Sequence, residues 1–207
     1  MDVMGTDAGL KFREPYRGEQ LTEIARWIWQ DHSDFYGIFC GEETEATSCI
    51  EALLKNANSD LTPPLLAVTK DQPIGVMCYF PLAELASRSL ASLRLLMNKA
   101  DDERMAIQKG KVFSSRVPPI LGGGLYLARI AVTEYTQSQG VGSAMIRELE
   151  KRALSAGFSR ICMHVRKSNE KAVRFYHKNA YKLCSNLDMP YISLEKHIGL
   201  QPYHTTS

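Results

Sequence analysis

The chain has 207 residues, 44% of them hydrophobic and 23% charged, with a formal net charge of +2. That length supports one core without metal or disulfide help. So small a charge, with no long basic block, gives no electrostatic footprint for nucleic acid. Cysteines at 40, 49, 78, 162 and 184 form no Cys-x-x-Cys pair, so reduced thiols are expected rather than a disulfide framework or a metal site. No run of about 18 apolar residues is present to span a membrane. Met1 to Gly9 carries acidic residues without the apolar stretch of a signal peptide, and a cytoplasmic globular protein is the expectation.

Leu10 to Glu14 alternates as a short strand does and ends before Pro15, which favours an extended residue ahead of it. From Glu19 the spacing of Leu21, Ile24, Ala25 and Ile28 is helical, with Glu19 as an acidic start. Trp27, Trp29, Phe35, Tyr36 and Phe39 crowd this region, either as core or as the wall of a substrate pocket. Glu43 to Asn56 is a second helix, followed by Pro63-Pro64. Leu65 to Thr69 and Ile74 to Phe80 read as an antiparallel hairpin around the turn Lys70-Asp71-Gln72-Pro73. The segment from 81 to 123 is too long to be structureless in a compact domain. Leu85, Leu90, Leu93, Leu96 and Met97 predict a helical excursion there, with a mobile return at Gly122-Gly123-Gly124.

Leu125 to Val132 is too apolar for an edge strand and is broken only by Arg129. Ser143 to Ala156 places Met145, Ile146, Leu149 and Ala153 on one helical face and stops at Gly157. Arg160 to Arg166 alternates as a strand, with His164 on its polar side. Asn169 to Asn179 is a helix capped by Ser168 or Asn169. Tyr181 to Leu187 and Tyr191 to Leu194 are final strands, and the last residues are expected to be loose. This order is that of a mixed α/β domain.

Between the strand ending at Val132 and the helix from Ser143 lies Gln137-Ser138-Gln139-Gly140-Val141-Gly142. Glycines at a helix start let backbone N–H groups approach a phosphate, which the helix dipole favours. The other reading is an ordinary turn that needs glycine for its angle. A nucleotide-triphosphatase loop would continue with Lys and Ser or Thr, whereas this one continues Ser143-Ala144-Met145. A dinucleotide fold would need a small residue where Met145 stands. Gln137-x-x-Gly140-x-Gly142, together with Asn169-x-x-Ala172-x-x-Phe175-Tyr176-x-Lys178-x-Ala180-Tyr181, resembles the two signature blocks of the GNAT N-acetyltransferases. Ala180 replaces a glycine and Tyr181 a phenylalanine of that pattern, and the resemblance spans residues 125 to 181.

The resemblance implies one α/β domain over residues 1–207, with a central, mostly antiparallel, splayed sheet flanked by helices. Its cofactor is acetyl-CoA, and its acceptor a primary amine of a small molecule or peptide. Main-chain groups of Ile130, Ala131 and Val132 would pair with the pantetheine arm as an added strand does. Gln137 to Ser143 would hold the pyrophosphate, including Ser138, Gln139 and Val141, and Asn169 and Ala172 would face the arm. Tyr176, two helical turns beyond Asn169, is placed as general acid to the leaving thiolate. Tyr126 stands where histone-modifying members look to have a Glu, leaving Glu134, Glu84, His164 or a water as base candidates. Asp31, Asp34, Glu42, Glu43 and Glu45 favour a cationic acceptor or form a solvated helix face. No metal, nucleic-acid or membrane partner is expected, and a homodimer is compatible. The competing reading is a non-catalytic acyl-CoA-binding regulatory module.

Overall fold

The computed structural model describes residues 9–99, 103–185 and 188–199. The expectations for the first eight residues, for the end of a strand at Leu187 and for a loose C-terminal stretch lie outside these residues.

Lys70 and Asp71 both have left-handed φ, 47° and 62°, the geometry that matches a two-residue hairpin to the twist of its strands. They join β2 (Pro64–Thr69) to β3 (Gln72–Pro81). β1 (Lys11–Arg13) adds to the free edge of β2. β4 (Leu125–Val132) runs antiparallel along β3 from Gly75↔Val132 to Pro81↔Leu125, with a register shift that leaves Ala128 as a bulge. β5 (Arg160–Arg166), β6 (Lys182–Leu183) and β7 (Tyr191–His197) complete a seven-stranded sheet in the order β1-β2-β3-β4-β5-β7-β6. β4 and β5 form its parallel pair; the other neighbours are antiparallel, as expected of a mostly antiparallel sheet.

Strand alternation sends Leu66, Val68, Val76 and Cys78 to one face, where they pack against α1 (Thr22–Cys40) and α2 (Glu43–Lys55). Leu65, Ala67, Met77 and Leu127 face the other way, onto α5 (Val141–Ser155) and Tyr176 of α6 (Glu170–Lys178). The sheet is thus buried on both sides. α1 runs further than the apolar spacing suggested, reaching Cys40 across a kink at His32 (φ −137°, ψ 25°). The aromatic stretch therefore lies on the helix itself. Glu19 does not start that helix: it holds Arg13 with both carboxylate oxygens (2.7 and 2.9 Å) and accepts from the Tyr16 N–H.

The excursion forms α3 (Leu85–Met97) and α4 (Glu103–Ser114). Its return, expected to be mobile, is pinned instead. Arg160 Nη1 donates to the carbonyls of Leu121 (2.6 Å) and Gly123 (3.1 Å) while the same guanidinium pairs with Glu195 at 2.5 Å. Gly124 has φ +150°, and a Cβ there would lie 2.9 Å from the Arg160 carbonyl oxygen. Gly124→Ala should therefore cost about 1–3 kcal/mol from backbone strain alone. Urea unfolding checks this, with a lowered midpoint and an unchanged slope as the expected result.

Candidate active site

The β4–β5 ladder consists of Leu125↔Ile161 and Tyr126↔Cys162, after which the strands diverge. From Leu127 to Val132, β4 keeps its β3 partner and presents its other edge to the gap. A cavity of about 1010 Å³ opens there, bounded at its wide end by the loop before α5 and by α6, and on its far side by α1, α3 and α4. Gly140, in the left-handed region at φ 87°, turns the chain into α5, and no side chain caps that helix. The first N–H groups of α5 are thus available to an anion. α6 contrasts with it: Asn169 Oδ1 accepts from the Ala172 N–H at 3.0 Å, a true N-cap. A diphosphate fits this uncapped start, and an extended amide chain fits the free β4 edge.

All the residues expected to hold the cofactor line the cavity except Gln139 and Val141. The Gln139 amide turns back to donate to the Tyr135 carbonyl at 2.6 Å, and the Val141 side chain is buried in the core behind the loop. Gly142 has a second reason for lacking a side chain, since a Cβ there would meet the Phe175 ring at 3.2 Å. It lets α5 and α6 approach each other. Gln137 accepts from Lys171 across the mouth of the groove.

Tyr176 lines the cavity and is only 7% exposed, with its ring edge-on to Phe175 and Tyr181. Burial, then the nearby Asp31 carboxylate, push its phenol above the ordinary range, so it stays protonated. Asp31 reaches the rim from α1; burial raises its carboxyl and Lys171 opposes that shift. Of the acids expected to attract a cationic acceptor, Asp31 and Asp34 line the cavity. Asp34 is paired with Arg166 at 2.6 Å, while Glu42, Glu43 and Glu45 are exposed and do not line it.

Among the three side chains considered as bases, His164 alone is at the cavity. Glu84 bonds Arg88 Nε at 2.7 Å, and Glu134 is exposed in a 3-10 turn; both were suggested by nearness along the chain, and neither points into the gap. His164 Nε2 lies 2.7 Å from the Pro118 carbonyl oxygen, which can only accept. Nε2 therefore carries the proton, and Nδ1 accepts from the Tyr126 hydroxyl at 2.9 Å. Burial pushes this imidazole below its ordinary 6.5.

Sequence reading passed over three further groups in the cavity wall: His32, Asp60 and Arg129. Arg129 Nη1 donates to the Ala128 carbonyl at 2.6 Å, Nη2 stands 3.8 Å from Asp60, and the guanidinium lies 5.6 and 5.8 Å from the Phe35 and Tyr36 ring centroids. Asp60 in turn accepts from Ser92 at 2.6 Å. The signal for Arg129 was its isolation in an apolar central strand. His32, at the α1 kink, is driven well below 6.5 by burial and by Arg129.

Two imidazoles that resist protonation couple folding to pH. Below about 6.5 the unfolded chain binds protons at His32 and His164 that the folded chain does not, so stability falls as pH drops. Glu19, Glu51 and Glu195, held below 4.5, add to this loss only at lower pH. The melting temperature should fall between about pH 7 and 5.5, and His164→Gln should flatten that slope in scanning calorimetry.

A family model described as "Acetyltransferase (GNAT) family" matches residues 21–181. Among solved structures, an N-acetyltransferase from Staphylococcus aureus Mu50 is similar at 12% identity, covering 90% of this chain and 100% of its own, with a TM-score of 0.60. The PaiA N-acetyltransferase from Thermoplasma acidophilum in complex with coenzyme A is similar at 17% identity, 91% and 98% coverage and a TM-score of 0.54. A third structure, described only as an acetyltransferase, reaches 0.64 at 16% identity, covering 91% and 100%. At these identities the structural likeness concerns the fold.

Proposed function

The chain belongs to the GNAT acetyltransferase family, and on that premise we propose that it transfers the acetyl group of acetyl-CoA to a primary amine of a small molecule or peptide. The observation that carries this reading is one cavity holding an uncapped helix start, a free strand edge and a buried neutral phenol. Main-chain N–H groups at Gly142 and Ser143 would hold the pyrophosphate, and the β4 edge would hold the pantetheine amides. When bound, acetyl-CoA supplies an activated thioester and a thiolate leaving group. Tyr176, in the same cavity, would supply an O–H to that sulfur. A free thiol ionises near 8.5 and a free phenol near 10, and burial raises Tyr176 further, so full transfer to sulfur is uphill by at least about 2 kcal/mol. Tyr176 therefore acts chiefly by hydrogen-bonding the developing charge.

Phe35, Phe113, Pro119 and Ile120 line the acceptor side, where Asp34 and Asp60 face Arg166 and Arg129 while Asp31, at the rim, has no ion pair within 4 Å among the described residues. This favours an amine on an apolar or aromatic body over a polyamine. Thiol release from acetyl-CoA across a panel of amines tests it: aromatic monoamines should turn over faster than spermidine. Tight CoA binding with no thiol release for any amine would favour a regulatory module.

Truncating the ligand tests the phosphate loop without disturbing the fold. CoA should bind at least about 10²-fold more tightly than pantetheine, the equivalent of one or two charge-assisted hydrogen bonds. Equal affinities by calorimetry would remove the loop from the binding site. Tyr176→Phe should lower kcat by up to about 10²-fold and leave CoA affinity near wild type. An unchanged kcat, in an enzyme whose pre-steady-state traces show no burst, would reduce Tyr176 to packing.

A further inference from the structure

We propose that Arg129 anchors a carboxylate of the acceptor, so that the amine acetylated here belongs to an aromatic amino acid rather than to a simple arylalkylamine. This rests on the acetyl-transfer reading and narrows its substrate class. Leu127 faces α5, and strict alternation along β4 would send residue 129 the same way. The extra residue at Ala128 reverses that, and the guanidinium emerges on the opposite face beside Phe35 and Tyr36 of α1. A charged side chain from an apolar strand is thereby placed in the acceptor wall of the cavity.

The surrounding protein leaves this guanidinium under-used. Nη1 donates to the Ala128 carbonyl at 2.6 Å, while Nε is buried with no hydrogen-bond partner among the described residues. Nη2 stands 3.8 Å from Asp60, beyond hydrogen-bond reach. Asp60 is held back from closing that distance. Its Oδ1 accepts from Ser92 at 2.6 Å, its N–H donates to Ser92 Oγ at 3.0 Å, and Arg88 donates to the flanking Ser59 and Thr62 carbonyls at 2.9 and 2.7 Å. The counterion is thus tied to α3 and the cation to the strand. Arg166, the other guanidinium in the wall, is closed instead by Asp34 at 2.6 Å. Unused donors on a buried cation are costly, and an anionic ligand supplies the missing acceptors.

The neighbours select the ligand. A guanidinium meets a carboxylate with two parallel N–H···O bonds. The Phe35 ring, 5.6 Å from Arg129, packs on Phe113 at 4.7 Å, and Phe113 meets Tyr191 at 5.3 Å. All three rings line the cavity and offer a surface for an aromatic body next to the cation. Burial works against the Arg129 charge, but Tyr36, Asp60 and Tyr126 keep the guanidinium protonated. His32 beside it is driven neutral by burial and by Arg129, and can donate one N–H to the same anion. At the other end of the ligand, Asp31 attracts the ammonium. Asp31 acts on the Tyr176 phenol more strongly than Arg129 does, so the amine end lies nearer the thioester than the carboxylate end.

Three amines on one aromatic body test the anchor: phenethylamine, phenylalanine, and 3-amino-3-phenylpropanoate, which sets amine and carboxylate one carbon further apart. The better amino acid should exceed phenethylamine in kcat/KM by at least about 10-fold, the lower end for a charge-assisted hydrogen bond, and mainly through KM because the carboxylate does not react. Arg129→Met should erase that ratio. So should Arg129→Met combined with Asp60→Asn, which strands no buried carboxylate. A readout without turnover is calorimetry on the protein saturated with CoA, where 3-phenylpropanoate should bind and 3-phenylpropanamide should not. If neither variant folds, the wild-type ratio and this binding decide. A wild type that acetylates phenethylamine as well as either amino acid overturns the anchor and leaves acetyl transfer standing, as does a ratio that survives in the folded double variant. A wild type that acetylates no amine yet binds CoA and 3-phenylpropanoate overturns the transfer reading and keeps the carboxylate site. Failure of turnover and of 3-phenylpropanoate binding together overturns both.

Discussion

The site depends on an incomplete strand pairing. β5 is held by β7 along its whole length, from Arg160↔His197 to Arg166↔Tyr191, and β4 is held by β3 from Leu125 to Val132. Each arm is therefore fixed by its outer neighbour, and the sheet's right-handed twist opens the gap between them. Two residue pairs close the apex. Beyond them, main-chain donors and acceptors of β4 face the cavity, where leaving them without partners is costly. The same divergence makes room for a ligand, supplies the groups that bind it and marks where its inner end must lie.

A second constraint is electrostatic. The cavity wall contains three phenols, Tyr126, Tyr176 and Tyr191, and two imidazoles, His32 and His164, each biased by burial toward its uncharged form. Arg129 strengthens that bias at His32 and is balanced by Asp60 at 3.8 Å. A carboxylate base in this setting would compete for the guanidinium or bind a proton itself.

What could be read from the sequence was what the chain settles locally. The hairpin around Lys70-Asp71, the glycine loop before α5 and the Asn169 cap each depend on a few consecutive residues, and the structure has each where the pattern placed it. The two ends of α6 carry Asn169 and Tyr176 to one groove because their spacing is helical. Contacts between distant segments were not legible. The Tyr126 and Pro118 partners of His164 are 38 and 46 residues away, and Asp60 lies on a different segment from Arg129. Glu84 and Glu134 lie near the right elements in sequence, but direction is set by local turns, and Arg88 takes the first. Glu19 had the composition of a helix start and was claimed instead by Arg13.

The helical excursion leaves and rejoins the sheet at neighbouring points. Pro81 and Leu125 are opposite one another in the β3–β4 ladder, and Leu82 N–H donates to the Gly124 carbonyl at 2.8 Å. The junction is thus closed like the neck of a purse, whatever lies beyond it. Doubling the length of a flexible segment closed in this way adds only about 0.6 kcal/mol of closure entropy. The α3–α4 wall of the cavity can accordingly be lengthened, shortened or exchanged by evolution with little effect on strand register or on the glycine loop before α5. Divergence of acceptor preference and retention of the nucleotide-bearing donor become separable traits of one chain.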